Sequence, residues 1–207
     1  MTRLAISVEG STEREFVRQV LQPHLWGFEI DVRPVVITTK RLVSGPNQKG
    51  GSVSIDRAVS EIRRLLPNFD AVTTLYDFYG FACKKPGDTA DDIERRISDR
   101  LGNPRSLMPY VQRHEYEAIL FSSPHHIAAA FQEPGKEVHL TQIVTTCGSP
   151  EDIDDNPASA PSKRLQAIFP NYDKAFHGPA IVFAIGLAAI RTSCPRFGAW
   201  IDRLEGL

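Results

Sequence analysis

A short apolar run joined directly to a helix start is the feature that most restricts how this chain can fold. Residues 4–8 are mostly apolar and β-prone and are too few for a helix, so they predict a buried strand. Thr12 and Glu15 fit a Thr-x-x-Glu capping box, which predicts that a helix begins there with Glu13 in its first turn. Glu9 is then expected at the carboxyl end of the strand.

The same order of strand and helix recurs along the first half of the chain. β-prone runs at residues 30–37 and 71–76 each precede an amphipathic helical pattern. Ser54 and Thr89 are the predicted N-caps of those two helices, and residues 107–112 predict a fourth strand. This alternation is typical of a parallel sheet with right-handed crossovers. We therefore predict an α/β fold with a mainly parallel four-stranded sheet flanked by helices.

The second half of the chain has a different pattern, of helices and loops without clear strands. We expect an α/β domain over residues 1–122 and a helical C-terminal part over residues 123–207 that packs on it. Residues 38–53 predict a long basic loop, which is longer than a simple strand-to-helix connection needs. Residues 180–190 are apolar on every side and predict a buried helix.

Composition excludes several classes of protein. With 207 residues the chain is long enough to bury a core without cross-links. The chain has three cysteines, an odd number without Cys-x-x-Cys spacing: Cys83, Cys147 and Cys194. We therefore expect no structural zinc site and interpret the cysteines as packing residues of a protein in a reducing cytoplasm. No secretory signal pattern is present, and the longest apolar run is too short to cross a bilayer, which predicts a soluble protein. The net charge of -1 neither indicates nor excludes a nucleic-acid partner.

Three predicted strands are followed by acidic residues: Glu9 with Glu13, then Asp77, then Glu115 with Glu117. Adjacent parallel strands lie about 5 Å apart, so carboxylates at their ends can converge on one divalent cation, or on two. Mg²⁺ prefers such all-oxygen sites. The alternative is that Glu13 only favours the helix N-terminus and Glu9 is a solvated strand end. The repetition in three successive units favours the cation site.

Residues 8–13 (Val-Glu-Gly-Ser-Thr-Glu), followed by a strand that ends in Asp77, resemble the Toprim domain of topoisomerases, primases, small RNA maturases and overcoming-lysogenisation-defect (OLD) nucleases. The whole chain resembles an uncharacterised bacterial family of Toprim-like proteins, which is associated with genes near defence ATPases. The further motifs that carry this resemblance are Tyr-Asp-Phe-Tyr-Gly-Phe at 76–81, Glu-Tyr-Glu-Ala at 115–118, Ala-Pro-Ser-Lys-Arg-Leu at 160–165 and Tyr-x-Lys-x-x-His-Gly at 172–178.

The resemblance implies a role for individual acids. Glu9 matches the first Toprim acid, Glu13 the second acid of the OLD-like variant, and Asp77 the first aspartate of the Asp-x-Asp motif. Tyr79 departs from the pattern, because Toprim enzymes have a second aspartate there and a phenol with a pKa of about 10 cannot replace it. Glu115 or Glu117 is left to supply the missing oxygen ligand, with Glu117 preferred.

The function that the resemblance implies is cleavage of a phosphodiester in nucleic acid with Mg²⁺ or Mn²⁺, in bacterial defence or repair. The predicted metal ligands are Glu9, Glu13, Asp77 and Glu117. A co-encoded ATPase is a further expected partner, and no membrane is involved. The alternatives are a non-catalytic module that binds nucleic acid or a protein partner, and a metal-dependent phosphotransferase acting on a small molecule. The sequence does not choose between DNA, RNA and nucleotide.

A phosphoryl-transfer site also needs a cation on the phosphate, because negative charge develops on the phosphate oxygens. Lys163 is the preferred candidate for this contact, Lys174 is the second, and His177 is a candidate proton carrier. The alternative for all three is a structural or solvated position.

Other residues that often bind metals show no spacing typical of a site. No role is predicted for His24, His125 and His126. The acidic residues of the loop at 149–160 are expected to face solvent: Asp152, Asp154 and Asp155.

Overall fold

The structure is a computed structural model that describes residues 1–40, 48–49, 53–82, 84–154, 156 and 158–207. Cys83, Asp155 and the middle of the predicted basic loop lie outside the described residues. The chain divides into two compact units, Met1–Gln112 with Leu207, and Arg113–Gly206. The predicted domain boundary at residue 122 stays a prediction.

The first unit alternates strands and helices, as the sequence predicts. A π-helical turn, Val17–Leu21, joins its first two helices. The elements are β1 Thr2–Val8, α1 Ser11–Phe16, α2 Gln22–Trp26, β2 Ile30–Val36, β3 Thr38–Lys40, β4 Gln48–Lys49, α3 Ile55–Leu65, β5 Ala71–Asp77, α4 Ala90–Arg100, β6 Leu107–Met108 and β7 Val111–Gln112.

The main sheet confirms the predicted α/β class. Its strand order is β2-β1-β5-β6, with β7 also paired to β5, and these pairings are all parallel. β1 is central, because Val8 pairs with Val36 on one side and Leu75 on the other. β3 and β4 form a separate antiparallel pair within the predicted basic loop. The carboxyl ends of β1 and β5 therefore meet at one edge of the sheet.

The sheet has five strands instead of the predicted four because Pro109, which has no N–H, interrupts the last one. Two buried threonines of β5 compensate for the interruption. The Thr73 hydroxyl donates to the Met108 carbonyl (2.5 Å). The Thr74 hydroxyl donates to the Tyr110 carbonyl (2.7 Å) and accepts the Tyr110 N–H (2.9 Å). Main-chain groups beside the interruption are thereby satisfied away from water.

Helix starts in this unit follow the prediction at two of three positions. Ser54 accepts the Arg57 N–H at the start of α3, and Thr89 forms a reciprocal capping box with Asp92 at the start of α4. The predicted cap at Thr12 is wrong, because α1 begins at Ser11 with Gly10 in the N-cap position. Buried apolar side chains from the sheet and from α3 and α4 form the core on one face of the sheet.

The second unit is helical, as predicted. Its elements are the 3₁₀ segment Tyr116–Ser122, α5 Pro124–Ala130, the 3₁₀ turn Pro134–Lys136, α6 Glu137–Cys147, the 3₁₀ turn Pro150–Asp152, α7 Pro161–Ile168, α8 Lys174–Ile185, α9 Leu187–Ser193 and α10 Pro195–Glu205.

The prediction of one fully buried helix over residues 180–190 is wrong. Gly186, at φ 80°, ends α8, and α9 begins at the next residue. Val182 is buried, whereas Phe176 and Phe183 are 73% and 67% exposed. In the described chain no single helix is long and apolar enough to span a membrane. The combined length and apolar composition of α8 and α9 would be sufficient, but the two helices are bent by 90° relative to each other.

An exposed ion pair at the amino end of β1 gives a pH-dependent contribution to stability. Hydrogen bonds from the Arg3 guanidinium and Arg3 N–H lower the pKa of Asp70 from 3.8 to about 2. Because the folded-state pKa is the lower one, the stabilisation is present above about pH 4 and is lost as the pH falls towards 2. We expect Asp70→Asn to reduce the urea midpoint slightly near neutral pH and to match wild type near pH 2. Equal midpoints near neutral pH would contradict this.

Candidate functional site

Glu9 joins the ends of two adjacent parallel strands. It directly follows β1, and its Oε2 accepts the main-chain N–H of Asp77, the last residue of β5, at 3.3 Å. The two acids lie 68 positions apart in sequence. Asp77 itself is only 7% exposed. The strand order thus places both predicted metal ligands at one edge of the sheet.

The turn after β5 brings Gly80 close to the Glu9 carboxylate. A Cβ atom added to Gly80 would lie 3.2 Å from Glu9 Oε1, which is closer than ordinary van der Waals contact. The Asp-Phe-Tyr-Gly sequence therefore has a steric function. It ends the strand in an acid and then brings a residue without a side chain against the carboxylate of β1.

Glu13 is buried in the first turn of α1, and its carboxylate bends back to the start of the helix. Its Oε2 accepts the Gly10 N–H at 2.8 Å. A Cβ on Gly10 would lie 3.1 Å from the same oxygen. Glu13 thus provides the helix-capping contact that Glu15 was predicted to make, and a carboxylate near a helix N-terminus is also favoured by the helix dipole.

Lys84 is a cation at this edge that the sequence analysis missed. Its ammonium donates to the carbonyls of Phe78 (2.6 Å) and Tyr79 (3.0 Å) and lies 4.3 Å from the centre of the Phe78 ring. It therefore fixes the turn that carries Asp77. The signal was the Lys-Lys pair shortly after the strand-ending aspartate. Tyr79, in the place of the second Toprim aspartate, is 37% exposed.

The donor atoms at this edge suit a hard cation, since Glu9, Glu13 and Asp77 supply only oxygen. In the part of the chain that the structure describes, however, no three His, Cys, Asp or Glu side chains are arranged around a common metal position. The chemistry of the donor set fits Mg²⁺ or Mn²⁺, but the third ligand is not in place. The predicted metal site stays a prediction.

In the second unit, Glu115 holds the start of α7. Its two carboxylate oxygens accept the Ser162 N–H (2.8 Å) and the Ser162 hydroxyl (3.0 Å). Glu115 is 6% exposed, so this contact is shielded from water. The Glu-Tyr-Glu-Ala and Ala-Pro-Ser-Lys-Arg-Leu motifs are thus partly explained by one structural contact. Glu115 would have to leave both donors before it could serve as an extra metal ligand.

Glu117 and Lys174, which we predicted as a metal ligand and a phosphate contact, are paired with each other. Glu117 is fully buried, and its Oε2 lies 3.0 Å from the Lys174 ammonium. The Tyr172 hydroxyl donates to Glu117 Oε1 at 3.4 Å. Burial, and then the Glu117 charge, raise the pKa of the Tyr172 phenol, which keeps it a neutral donor. Either predicted role requires this ion pair to open.

The other two predicted catalytic residues are placed differently. Lys163 is exposed on α7, and its ammonium has a long contact with Gln166 Oε1 (3.5 Å). His177 accepts the Asp173 N–H through Nδ1 (2.9 Å), and its ring lies 4.7 Å from the ring centre of Phe131. His177 therefore takes part in packing at the start of α8, while Lys163 is open to a ligand.

Glu151 is a buried acid to which the sequence analysis assigned no role. It is 3% exposed, and its two oxygens accept the N–H groups of Arg196 (3.0 Å) and Phe197 (2.9 Å) in the first turn of α10. The neighbouring Asp152 is paired with Arg113 at 2.8 Å and is half exposed. Glu151 is thus a cap supplied from another segment, because α10 has no side-chain cap of its own.

Comparisons with known proteins give one family match and two distant structures. Residues 8–205 match the family described as Domain of unknown function (DUF4276). The C-terminal region of the Xanthomonas campestris pv. campestris OLD protein phased with mercury is 16% identical with a TM-score of 0.39, over 98% of this chain and 97% of that chain. The same region phased with platinum is 17% identical with a TM-score of 0.40, over 97% and 94%. TM-scores this low carry no argument for function. No curated protein matches the chain.

Proposed function

Since the chain belongs to the DUF4276 family, a domain of unknown function, its activity has to be inferred from its own residues, and we propose that it is a Toprim-like nuclease. The reaction is cleavage of phosphodiester bonds in nucleic acid with Mg²⁺ or Mn²⁺, in bacterial defence or repair, with a co-encoded ATPase as a further partner. The observation that carries the proposal is the pair Glu9 and Asp77, which the parallel order of β1 and β5 places at one edge of the sheet.

Glu9 and Asp77 would hold the cation, with Glu13 as the third oxygen donor after its carboxylate leaves the Gly10 N–H. A bound divalent cation lowers the pKa of water and neutralises phosphate charge. Lys84 keeps the Asp77 turn in place through the carbonyls of the residues that follow. Lys163 supplies a positive charge for a phosphate oxygen, and its exposure leaves it free to reach one.

Cleavage of labelled single-stranded and duplex DNA and RNA in millimolar Mn²⁺ tests the proposal. We expect Glu9→Gln to lower the cleavage rate by about hundredfold or more, the loss seen when one electrostatic contact to a transition state is removed. Glu29→Gln is the matched control, because Glu29 is an exposed glutamate just before β2, at the opposite end of the strands. The assay is run with and without the co-encoded ATPase. Wild type and Glu9→Gln equally inactive on every substrate would overturn the nuclease.

Lys163→Ala separates catalysis from simple binding. In a nuclease it should lower the turnover more than it weakens binding, since its contact strengthens as charge develops on the phosphate. Lys136→Ala removes the same charge from an exposed position of the same unit and should leave both quantities unchanged. Equal losses in the two variants would show that Lys163 acts only through net charge.

Gly80→Ala should weaken the response to metal without unfolding the protein. The added Cβ meets the mobile end of the Glu9 side chain, so we expect the Tm to change by less than about 2 °C while the carboxylate is displaced. The rise in Tm caused by millimolar Mn²⁺ should then be smaller than in wild type. Gly135→Ala is the control, because an added Cβ there has no heavy atom within 4 Å. An unchanged Mn²⁺ response in Gly80→Ala would argue against Glu9 as a ligand.

A non-catalytic nucleic-acid-binding module is the second candidate, and a specific observation favours it. Two of the predicted metal ligands are engaged by protein groups, Glu13 by the Gly10 N–H and Glu117 by the Lys174 ammonium. Nucleic-acid binding that is equal in wild type and Glu9→Gln, with no cleavage in either, would select this candidate. In that case Lys163→Ala should weaken association and flatten its salt dependence, as expected for one lost phosphate contact.

A further inference from the structure

A cleft between α6 and α7 has the chemistry of an anion site, and it lies entirely within the second unit. Its volume is about 150 Å³, well above the roughly 10–15 Å³ that one water molecule needs by this measure, and is enough for a phosphate group. Four of its lining residues project from one face of α6 at helical spacing, and Cys147 and Arg164 complete the lining. The four are His139, Gln142, Ile143 and Thr146.

The charge of the cleft is positive. Arg164 contributes its guanidinium, and within the described chain no carboxylate lines the cleft. Asp154 interacts with the Arg164 charge but does not line the cleft, and its carboxylate accepts the Ser159 hydroxyl (2.5 Å). This hydrogen bond comes first among the causes that lower the pKa of Asp154, and the Arg164 charge is a lesser one. An anion in the cleft would therefore meet a favourable potential.

Arg164 is held in position before any ligand arrives. Its Nε donates to the Ser159 carbonyl at 2.5 Å, which fixes the guanidinium plane and, among the described residues, leaves the two Nη groups for a ligand. A planar fork of N–H donors suits the oxygens of phosphate, and pre-organisation lowers the entropy cost of binding. The Gln142 amide adds a neutral donor, whereas the Thr146 hydroxyl already donates to the Gln142 carbonyl (2.8 Å). Buried Ile143 gives an apolar floor.

We propose that this cleft binds a phosphate group, with Arg164 as the principal contact and His139 and Gln142 as additional donors. The phosphate belongs either to a nucleic-acid backbone or to a free phosphate ester, since both present the same oxygens. The site does not depend on the acids of the first unit, and so it stands or falls independently of the proposed nuclease.

Cys147 is a built-in reporter, because it lines the cleft and is half-buried. Its alkylation by iodoacetamide is followed by peptide mass spectrometry in the full-length protein. The probes are inorganic phosphate, a mononucleotide and a short single-stranded oligonucleotide, with sodium chloride at matched ionic strength as the reference. At a phosphate concentration about ten times its Kd, the alkylation rate should fall about tenfold. Buried Cys194, whose thiol pKa burial raises to about 12, should stay unreactive throughout.

Variants show whether the protection comes from the cleft. Arg164→Gln should weaken phosphate binding about tenfold or more, as expected when hydrogen bonds to a charged group are lost. Arg203→Gln removes the same charge from an exposed position of α10 and should leave the protection unchanged. Gln142→Leu leaves the contact between Arg164 and the Ser159 carbonyl intact and should partially reduce the protection of Cys147. This variant tests the cleft even if Arg164→Gln folds poorly.

The outcomes are distinct. Protection at lower oligonucleotide than mononucleotide concentration assigns the phosphate to a nucleic-acid backbone, and the reverse order assigns it to a free ester. Protection that persists in Arg164→Gln, or no protection by any probe, would overturn the site. Glu9→Gln should be protected like wild type whatever its cleavage activity, so loss of the nuclease and loss of this site are told apart.

Discussion

Lys174→Met is expected to lower the free energy of unfolding by about 2 kcal/mol, because it leaves the fully buried Glu117 carboxylate without its cation. Breaking a wholly buried ion pair typically costs more. The Lys174 side chain, however, is 40% exposed, and solvent screens part of the interaction. The measurement is urea unfolding of wild type and variant at the same ionic strength.

Glu117→Gln combined with Lys174→Met is the control for this prediction. The double variant removes both charges and keeps an amide that the Tyr172 hydroxyl can still reach, so it should recover most of the lost stability. Lys163→Met, on the exposed face of α7, should be close to neutral. A Lys174→Met protein as stable as wild type would mean that the ion pair contributes nothing, and that Glu117 is available for a cation at little cost.

The same variants test Glu117 as a metal ligand. With Lys174 removed, a divalent cation no longer competes with that ammonium for the Glu117 carboxylate. Millimolar Mn²⁺ should therefore raise the Tm of Lys174→Met if Glu117 binds metal, and should not do so in the double variant. An identical response in both would exclude Glu117 from the metal site and leave the acids of the first unit as the candidates.

Glu151→Ala is expected to lower the free energy of unfolding by about 3 kcal/mol. Hydrogen bonds to a charged group contribute about 1.5–3 kcal/mol each, and this carboxylate accepts two from the first turn of α10. Its negative charge also lies at the positive end of the helix dipole. For a protein of this length the loss corresponds to a Tm lower by roughly 10 °C.

Glu133→Ala is the matched control, since it removes an exposed glutamate of the same unit and should change the Tm little. Glu151→Gln should fall between the two, because the amide oxygen can accept only part of the hydrogen bonding. Thermal unfolding followed by circular dichroism gives all three values. A Tm of Glu151→Ala within about 2 °C of wild type would show that water replaces the carboxylate as the cap of α10.

The fold of the first unit was predictable because its information is local. Residues 4–8 and 71–76 are short, apolar and β-branched, and each is followed by an acid and a helix start, so strand ends and acids could be aligned from sequence alone. The break at Pro109 was a local signal too, and it was overlooked. At the start of α1 both members of the predicted capping box differ, because Gly10 and Glu13 take the places of Thr12 and Glu15.

The second unit was less predictable because its acids act over long distances. Glu115 meets Ser162 47 positions away, Glu117 meets Lys174 57 positions away, and Glu151 meets Arg196 45 positions away. No periodicity connects such partners, so an acid that caps a distant helix looks the same in sequence as an acid that binds metal. The exposed face of α8 was not predictable either, because a helix that is apolar on every side gives no indication of which face is exposed.

The hydrogen bond between Glu9 and Asp77 also determines when in the life of the chain the two acids meet. β2 follows β1 closely in the chain, whereas Asp77 lies 68 positions after Glu9, so pairing of β1 with β5 requires a much longer stretch of chain to have been made. Parallel pairing across such a separation loses chain entropy on loop closure before the stabilising contacts form. We therefore expect it to occur late in folding. A nascent chain that still lacks β5 carries Glu9 as an isolated carboxylate. Glu9 and Asp77 then come together only when the sheet is complete, and any activity that depends on this pair requires the fully synthesised sheet.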